Sequence, residues 1–174
     1  DIRFIVNDIL LQLKNLKGIF IGVNKKKKNT PDIYANLDDL YASGSGVLIF
    51  PAGLVSRKRN GKIRDLEWRK SFITKARKNE LDVIPVFIKG KNSEFFYNLA
   101  RFRERIGIKA NIEMLYLADE MYRQKNQTIT VIFGKPIPYQ MFDKSRTDQE
   151  WAQLVKEHVY CIAEEGHQRT MKIS

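Results

Sequence analysis

The sequence predicts an α/β domain in which a mostly parallel or mixed β-sheet is flanked by helices. Short continuous apolar runs alternate with segments of helical apolar spacing, which is typical of buried strands joined by helices. The 174 residues contain no linker rich in Pro, Gly and Ser and no repeat, so we expect a single domain over 1–174. The hydrophobic fraction of 43% is that of a globular protein and argues against intrinsic disorder.

The first half of the chain is predicted to alternate two helices with two strands. The helices carry apolar residues every three or four positions and stop at glycines, and the strands are short apolar runs. In order, we expect a helix over Ile2–Leu16, a strand over Ile19–Val23, a helix from Pro31 (N-cap Thr30) to Gly44, and a strand over Val47–Phe50.

The second half continues this alternation. β-branched runs mark its strands, and Thr147 with Glu150 matches a capping box at the start of its last helix. In order, we expect a long basic loop to about Leu66, a helix over Trp68–Ala76, a strand over Asp82–Ile88 with an edge or bulge at Pro85, helices over Ser93–Arg105 and Asn111–Gln124, a strand over Thr128–Phe133, and a helix over Thr147–Ala163.

The positive charge is concentrated in two segments. The formal net charge is +11, and residues 25–28 are four consecutive lysines. Between Arg57 and Glu80 there are ten basic residues and three acidic ones. Such clusters attract polyanions, among them nucleic acid, anionic lipid, acidic carrier proteins and the phosphates of coenzyme A. The alternative is a solvated basic surface that only confers solubility.

The segment Phe50–Arg57 has the chemistry of an anion-binding loop. A stiff proline ends a buried strand, and Gly53 lets the backbone approach a ligand closely. Ser56 and Arg57 then supply a hydroxyl and a guanidinium, and the latter suits a phosphate or a carboxylate. An ordinary turn with a solvated basic tail would have the same residues.

Other chemistry-bearing patterns are sparse. His158 and His167 have no partner at a catalytic or zinc-ligand spacing, and the single cysteine, Cys161, excludes an internal disulfide. No apolar run is long enough to cross a membrane. Arginines and phenylalanines interleave over 95–105, which suits base stacking or, more simply, an amphipathic helix whose aromatic side faces the core or a membrane.

Four short sequence blocks resemble conserved blocks of the glycerolipid acyltransferases, the family of lysophosphatidic-acid acyltransferase, and they follow one another along the chain in the family's order. Phe50–Ser56 resembles the family's third block, Phe-Pro-Glu-Gly-Thr-Arg-Ser, while Gly18–Ile21 resembles the second and Val83–Val86 the fourth. Ile132–Ile137 resembles its closing strand. The fold implied is like that of glycerol-3-phosphate acyltransferase. The details look most like a bacterial branch labelled hemolysin, which includes O-acyltransferases of ornithine and glycine lipids.

The chain departs from the family pattern at three places. Ala52 and Val55 replace the usual Glu and Arg of the third block, which makes an amino-acid lipid acceptor more plausible than a phosphate-bearing one. The first block, His-x-x-x-x-Asp, carries the catalytic base and is absent from these residues. We expect it upstream of Asp1, so the domain should lack its N-terminal part, and we expect these 174 residues alone to be inactive.

The resemblance implies transfer of a fatty acyl group from acyl-CoA or acyl carrier protein to a hydroxyl of a lysolipid, with no bound cofactor or metal. A non-catalytic basic domain that binds anionic lipid, an acidic protein or nucleic acid is the alternative, and nucleic acid is the least expected partner. We expect a cytoplasmic protein that is peripheral at the inner membrane. The residues expected to bind substrate are Asn24, Lys25, Pro51, Gly53, Ser56 and Arg57, and those expected to contact an anionic surface are Lys26, Lys27, Lys28, Lys58, Arg59, Lys62 and Arg64.

Overall fold

The structure, a computed structural model, describes residues 1–6, 18–22 and 38–165. Residues 38–42 are helical and precede the turn at Gly44, where a helix end was expected. The other elements within these ranges are β1 (Ile2–Val6), β2 (Phe20–Gly22), β3 (Gly46–Leu48), β4 (Arg57–Arg59), β5 (Lys62–Arg64), α1 (Ser71–Lys78), β6 (Val86–Lys89), α2 (Glu94–Arg105), a 3₁₀-helix (Ile112–Tyr116), α3 (Leu117–Arg123), β7 (Thr130–Phe133), a second 3₁₀-helix (Tyr139–Met141) and α4 (Asp148–Glu165).

A three-stranded parallel sheet with the order β2-β1-β3 contains the N-terminal residues. The helix expected over Ile2–Leu16 is therefore wrong for residues 2–6, and its remainder lies outside the described residues. The spacing of the apolar residues fits a helix, but Ile2–Val6 is rich in β-branched and aromatic side chains and pairs with a strand on each side. Its Phe4 ring packs edge-on against Phe20 with centroids 5.9 Å apart.

Two antiparallel pairs complete the β structure of the described chain. Strands β4 and β5 form a hairpin, and β6 pairs with β7. The prediction of a mixed α/β protein with helices around its strands is confirmed, whereas the strands form three small sheets within the described residues and not one continuous sheet. The acyltransferase-like arrangement of the whole sheet stays a prediction.

The main core lies between α1 and α4. Trp151, Val155 and Val159 of α4 recur at helical spacing and pack with Phe72 and Ile73 of α1. The capping box expected at the start of α4 is present, because the Glu150 carboxylate accepts from the Thr147 backbone N–H at 2.7 Å and the Thr147 hydroxyl accepts from the Glu150 N–H at 3.3 Å. Ala52, in the loop that precedes the hairpin, packs against this core.

The helix expected over Ser93–Arg105 is observed as α2, whereas the one expected over Asn111–Gln124 is a 3₁₀-helix, Ile112–Tyr116, that leads directly into the short helix α3. The Ser93 hydroxyl accepts from the Phe96 N–H and caps α2. The buried Glu120 carboxylate of α3 accepts hydrogen bonds from the Ser93 N–H at 2.6 Å and from its hydroxyl at 2.5 Å. The two helices are thereby fixed to each other at the N-terminus of α2.

Candidate active-site loop and basic hairpin

The loop after β3 is a tight turn, as its sequence predicts. Gly53 has φ +65°, a conformation that favours glycine, and its N–H donates to the Phe50 carbonyl at 3.0 Å. The Pro51 carbonyl accepts from the Arg69 N–H at 3.1 Å, which ties the turn to the segment that leads into α1. Pro51 and Gly53 are half-buried, so the turn has one side open to a ligand.

The segment that follows is a β-hairpin, so the expected long basic loop is wrong. Strands β4 and β5 are joined by Asn60-Gly61, both with positive φ (49° and 76°), as a type I′ turn requires. Asn-Gly between two short strands is a strong hairpin signal that the sequence analysis missed. The pairing places Arg57 opposite Arg64 and Arg59 opposite Lys62, so like charges face each other, and in the first pair each arginine has an acidic partner.

Arg57 meets such a partner in a buried charge network. Its guanidinium donates to Glu113 at 2.6 Å and to the Val55 carbonyl at 2.9 Å. Glu113 also accepts from Nε of Arg103 at 2.9 Å. The exposed fractions of the three side chains are 5%, 0% and 7%. The network therefore joins the candidate loop to α2 and the first 3₁₀-helix, through a carboxylate that the sequence analysis did not single out.

Ser56 lies on the other side of the same backbone. Its hydroxyl donates to Asp65 at 2.6 Å, and the second oxygen of Asp65 accepts from the Trp68 indole N–H at 2.9 Å. The Tyr160 hydroxyl accepts from the Asp65 backbone N–H at 2.7 Å, and burial raises the pKa of that tyrosine. The Ser56 hydroxyl is thus oriented by a carboxylate that Trp68 holds in place, on a residue whose backbone N–H is bound by Tyr160.

Much of the positive charge between Arg57 and Glu80 is neutralised by acidic residues from elsewhere in the chain. The Lys58 ammonium donates to Glu94 at 2.6 Å and holds the pKa of that carboxyl below its usual range. Within the described residues, Arg59, Lys62, Arg69 and Lys70 have no ion-pair partner. The paired basic residues are Arg57 (Glu113), Lys58 (Glu94), Arg64 (Glu157), Lys75 and Lys78 (Asp38) and Arg77 (Asp148).

Two grooves border the Val55–Arg57 backbone. The first, of about 410 Å³, is bounded by the hairpin and α2 and is lined mainly by basic and polar side chains, among them Lys58, Arg59 and Arg101. The second, of about 230 Å³, is lined by Ser56 together with Ile88 and Ile129 of the β6–β7 region. Tyr97 lines both grooves and is buried between them. One groove is therefore suited to anionic groups and the other to a hydroxyl beside an apolar chain.

Four sequence expectations remain, on the loop over 24–28, on His158, on a metal site and on a membrane span. Asn24, Lys25, Lys26, Lys27 and Lys28 lie outside the described residues. His158 is buried on the core side of α4, in keeping with a structural histidine. Within the described ranges, no His, Cys, Asp and Glu side chains are grouped so that they could hold a metal ion, and no helix is long and apolar enough to cross a membrane.

Comparison with known proteins gives a consistent set of matches. A family model described as acyltransferase matches residues 1–166. A lyso-glycine lipid O-acyltransferase of Bacteroides thetaiotaomicron is 48% identical over 159 residues, which are 91% of this chain and 58% of that protein. A protein of the same description from Phocaeicola vulgatus is 46% identical over 160 residues, 92% of this chain and 57% of that protein. The chain thus spans less than two thirds of the length of these curated relatives, and no solved structure matches it.

Proposed function

The chain belongs to this acyltransferase family, and we propose that it transfers a fatty acyl group to the hydroxyl of a lyso-glycine lipid. The family resemblance drawn from the sequence blocks is confirmed by the family model and by the two relatives. The observation that carries the proposal is identity of 46–48% to two lyso-glycine lipid O-acyltransferases over more than nine tenths of the chain.

The chemistry of the candidate loop supports an acceptor without a phosphate. Ala52 and Val55 stand where the family has Glu and Arg. The nearest guanidinium, that of Arg57, is paired with Glu113. A lipid built on glycine offers an amide N–H, from which the Ser56 hydroxyl oxygen can accept while it donates to Asp65, and a carboxylate, which backbone N–H groups can bind. Direct contact between Arg57 and the acceptor stays a prediction.

The reaction is a general-base acyl transfer. A histidine oriented by an aspartate removes the proton of the acceptor hydroxyl, and the oxygen attacks the thioester carbonyl. The new C–O bond forms as the C–S bond breaks, and the leaving thiolate receives from the histidine the proton that came from the hydroxyl. Neither histidine of these 174 residues is followed by Asp at the required spacing, so we assign the base to a residue outside them.

The candidate loop supports this reaction by positioning and charge stabilisation. The Gly53 N–H is engaged by the Phe50 carbonyl at 3.0 Å, so we assign the oxyanion donors to N–H groups of the loop that follows it. The groove beside Ser56, with Ile88 and Ile129, would receive the acceptor and its apolar chain. The half-buried Pro51 keeps the turn rigid around both.

The groove lined by Lys58, Arg59 and Arg101 is our proposed site for the acyl donor. Coenzyme A and the prosthetic group of acyl carrier protein both carry phosphate, which basic side chains recognise. Arg59 and Lys62 have no ion-pair partner in the described part of the chain and are available to such a ligand or to anionic lipid. The predicted contacts of Lys58 and Arg64 with an anionic surface would compete with their ion pairs to Glu94 and Glu157.

Complementation tests the proposed function in a cell. The full-length gene would be expressed in a Bacteroides strain that lacks its lyso-glycine lipid O-acyltransferase, and the lipids would be measured by mass spectrometry. Restoration of the diacylated glycine lipid supports the proposal. Continued accumulation of the lyso form, with the protein expressed and folded, overturns it and leaves the basic surface as a binding surface alone.

A further inference from the structure

Helix α2 carries an apolar stripe that the protein core does not use. Phe95, Leu99, Phe102 and Ile106 recur at a spacing of three or four residues and so share one side of the helix. Phe102 is 59% exposed, and Phe95 and Ile106 are each about half exposed. The core side of α2 is a different one, formed by Phe96, Tyr97, Ala100 and Arg103.

The 3₁₀-helix Ile112–Tyr116 extends this stripe. The Tyr116 ring packs edge-on against Phe95 with centroids 5.1 Å apart, so it lies beside the stripe. Its chain neighbour Leu115 is 82% exposed. We call Phe95, Leu99, Phe102, Ile106, Leu115 and Tyr116 the apolar stripe. Contiguous exposed apolar surface of this kind is rare on soluble monomers and marks an interaction site.

The charge around the stripe is positive. Over residues 91–125, the exposed acidic side chains are Glu94, Glu104 and Asp119, and Glu94 is paired with Lys58. Apolar and aromatic side chains flanked by Lys and Arg are the composition of segments that lie in the interface of an anionic bilayer. The exposed basic side chains over the same residues are Lys91, Arg101, Arg105, Lys109, Arg123 and Lys125.

We propose that the apolar stripe inserts into the interfacial region of an anionic lipid bilayer and docks the protein there. The charge complementarity favours this occupant over an acidic protein, because the stripe offers the rim of positive charge and the aromatic surface together. The proposal rests on the proposed function in one respect, since an enzyme that acylates a lysolipid has to reach that substrate at a membrane.

Two ion pairs connect the docking surface to the candidate loop and its hairpin. Arg57, at the end of that loop, pairs with Glu113, which lies in the same 3₁₀-helix as Leu115 and Tyr116. Lys58 of the hairpin pairs with Glu94, which is adjacent to Phe95. A membrane bound by the stripe would therefore lie within a short distance of the loop that we assign to the acceptor, with Arg59 and Lys62 of the hairpin free to contact headgroups.

A fluorescence experiment on the full-length protein tests insertion locally. Tryptophan would be introduced by Phe102→Trp and, as the matched control, by Gln140→Trp at an exposed position of the second 3₁₀-helix that lines neither groove. The native Trp68 and Trp151 are buried and report the fold. Vesicles of equal parts phosphatidylglycerol and phosphatidylcholine with brominated chains should quench the tryptophan at position 102 and leave that at 140 unquenched. Equal quenching of both, or of neither, overturns the proposal.

Binding measurements give a second, independent test. Phe102→Glu and Leu115→Glu should each weaken vesicle binding by about tenfold or more, because a charge replaces a side chain that would be buried in lipid. Gln140→Glu adds the same charge at an exposed position outside both grooves and should change binding by less than about twofold. Equal losses in all three variants, no loss in any, or a change in oligomeric state without a loss of vesicle binding would overturn the proposal.

Failure of the docking proposal and failure of the proposed function can be told apart. Vesicle binding and quenching are measured without acyl transfer, so they hold for a protein of any activity. Acyl transfer to a detergent-dispersed acceptor should be unchanged in Phe102→Glu, since Phe102 lies outside the candidate site. An inactive protein that docks by the stripe would overturn the function alone, and an active protein whose stripe is not quenched would overturn the docking alone.

Discussion

Replacing Glu113 by alanine tests the buried charge network that joins the hairpin to α2 and the first 3₁₀-helix. The variant would leave the guanidinium groups of Arg57 and Arg103 in the interior without a carboxylate, and both side chains are less than a tenth exposed. Removal of one partner of a buried ion pair costs about 3–5 kcal/mol. For a chain of this size, 1 kcal/mol shifts the melting temperature by about 2–4 °C, so we expect a fall of about 6–20 °C.

The measurement is thermal and urea denaturation of the wild type, Glu113→Ala and a matched control. Glu157→Ala removes the carboxylate of an exposed pair with Arg64, which is worth at most about 1 kcal/mol. Glu113→Gln keeps the size of the side chain and some of its hydrogen bonds, so it should lie between the wild type and Glu113→Ala. A Glu113→Ala protein that melts no lower than the Glu157→Ala control would refute the reasoning.

Three further variants test the site and its support. Ser56→Ala should lower kcat/KM for acyl transfer about tenfold, because the variant loses one hydrogen bond to a polar headgroup. Unchanged kinetics would show that Ser56 does not belong to the site. Gly134→Ala should cost about 1–3 kcal/mol in urea denaturation, because the added Cβ would come within 2.8 Å of the Pro85 ring, whereas Gly90→Ala has open space and should be nearly neutral. Glu94→Gln should weaken the fall in the free energy of unfolding as the pH becomes acidic. The pKa of Glu94 is lower in the folded state than in the unfolded state, where it is about 4.3. Its ion pair therefore stabilises the fold above that pH, and this stabilisation is lost as pH falls through the folded pKa. A pH dependence identical to that of the wild type would contradict this assignment.

Local signals in the sequence predicted much of the fold. Thr147 and Glu150 form the capping box that begins α4, because that interaction joins residues three positions apart. The turn at Gly53 is likewise decided by its own residues. The helix expected over Ser93–Arg105 is also supported locally, since the Ser93 hydroxyl accepts from the Phe96 N–H at its start.

Features that depend on distant partners were missed. Residues 2–6 are a strand because two other strands pair with them, and their apolar spacing is equally compatible with a helix. The role of Glu113 depends on an arginine 56 residues away, so no local pattern marks it. The interpretation of the basic segment as a free polyanion surface is changed by the same long-range pairing, because Lys58 and Arg64 meet carboxylates from α2 and α4.

The hairpin could have been predicted. Asn60-Gly61 lies between two three-residue segments of extended backbone, and both residues adopt the positive φ that such a turn requires. Its flanking residues are charged and not apolar, which concealed the strand pattern. The exposed stripe on α2 was anticipated only in part, since the arginine–phenylalanine pattern left open whether its aromatic side faces the core or a membrane. Phe96 is buried in the core, while Phe95 and Phe102 face outward.

Acyl transfer by the purified full-length protein tests the central claim most directly. The protein would be incubated with lyso-glycine lipid and either acyl-CoA or acyl carrier protein loaded with the same fatty acid, and the product would be identified by mass spectrometry. We predict a lipid heavier by one acyl group with at least one donor, a slower reaction with lysophosphatidic acid, and no product from residues 1–174 alone. Absence of product with either donor from a folded full-length protein would contradict the claim, and product from residues 1–174 alone would contradict the assignment of the base to a residue outside them.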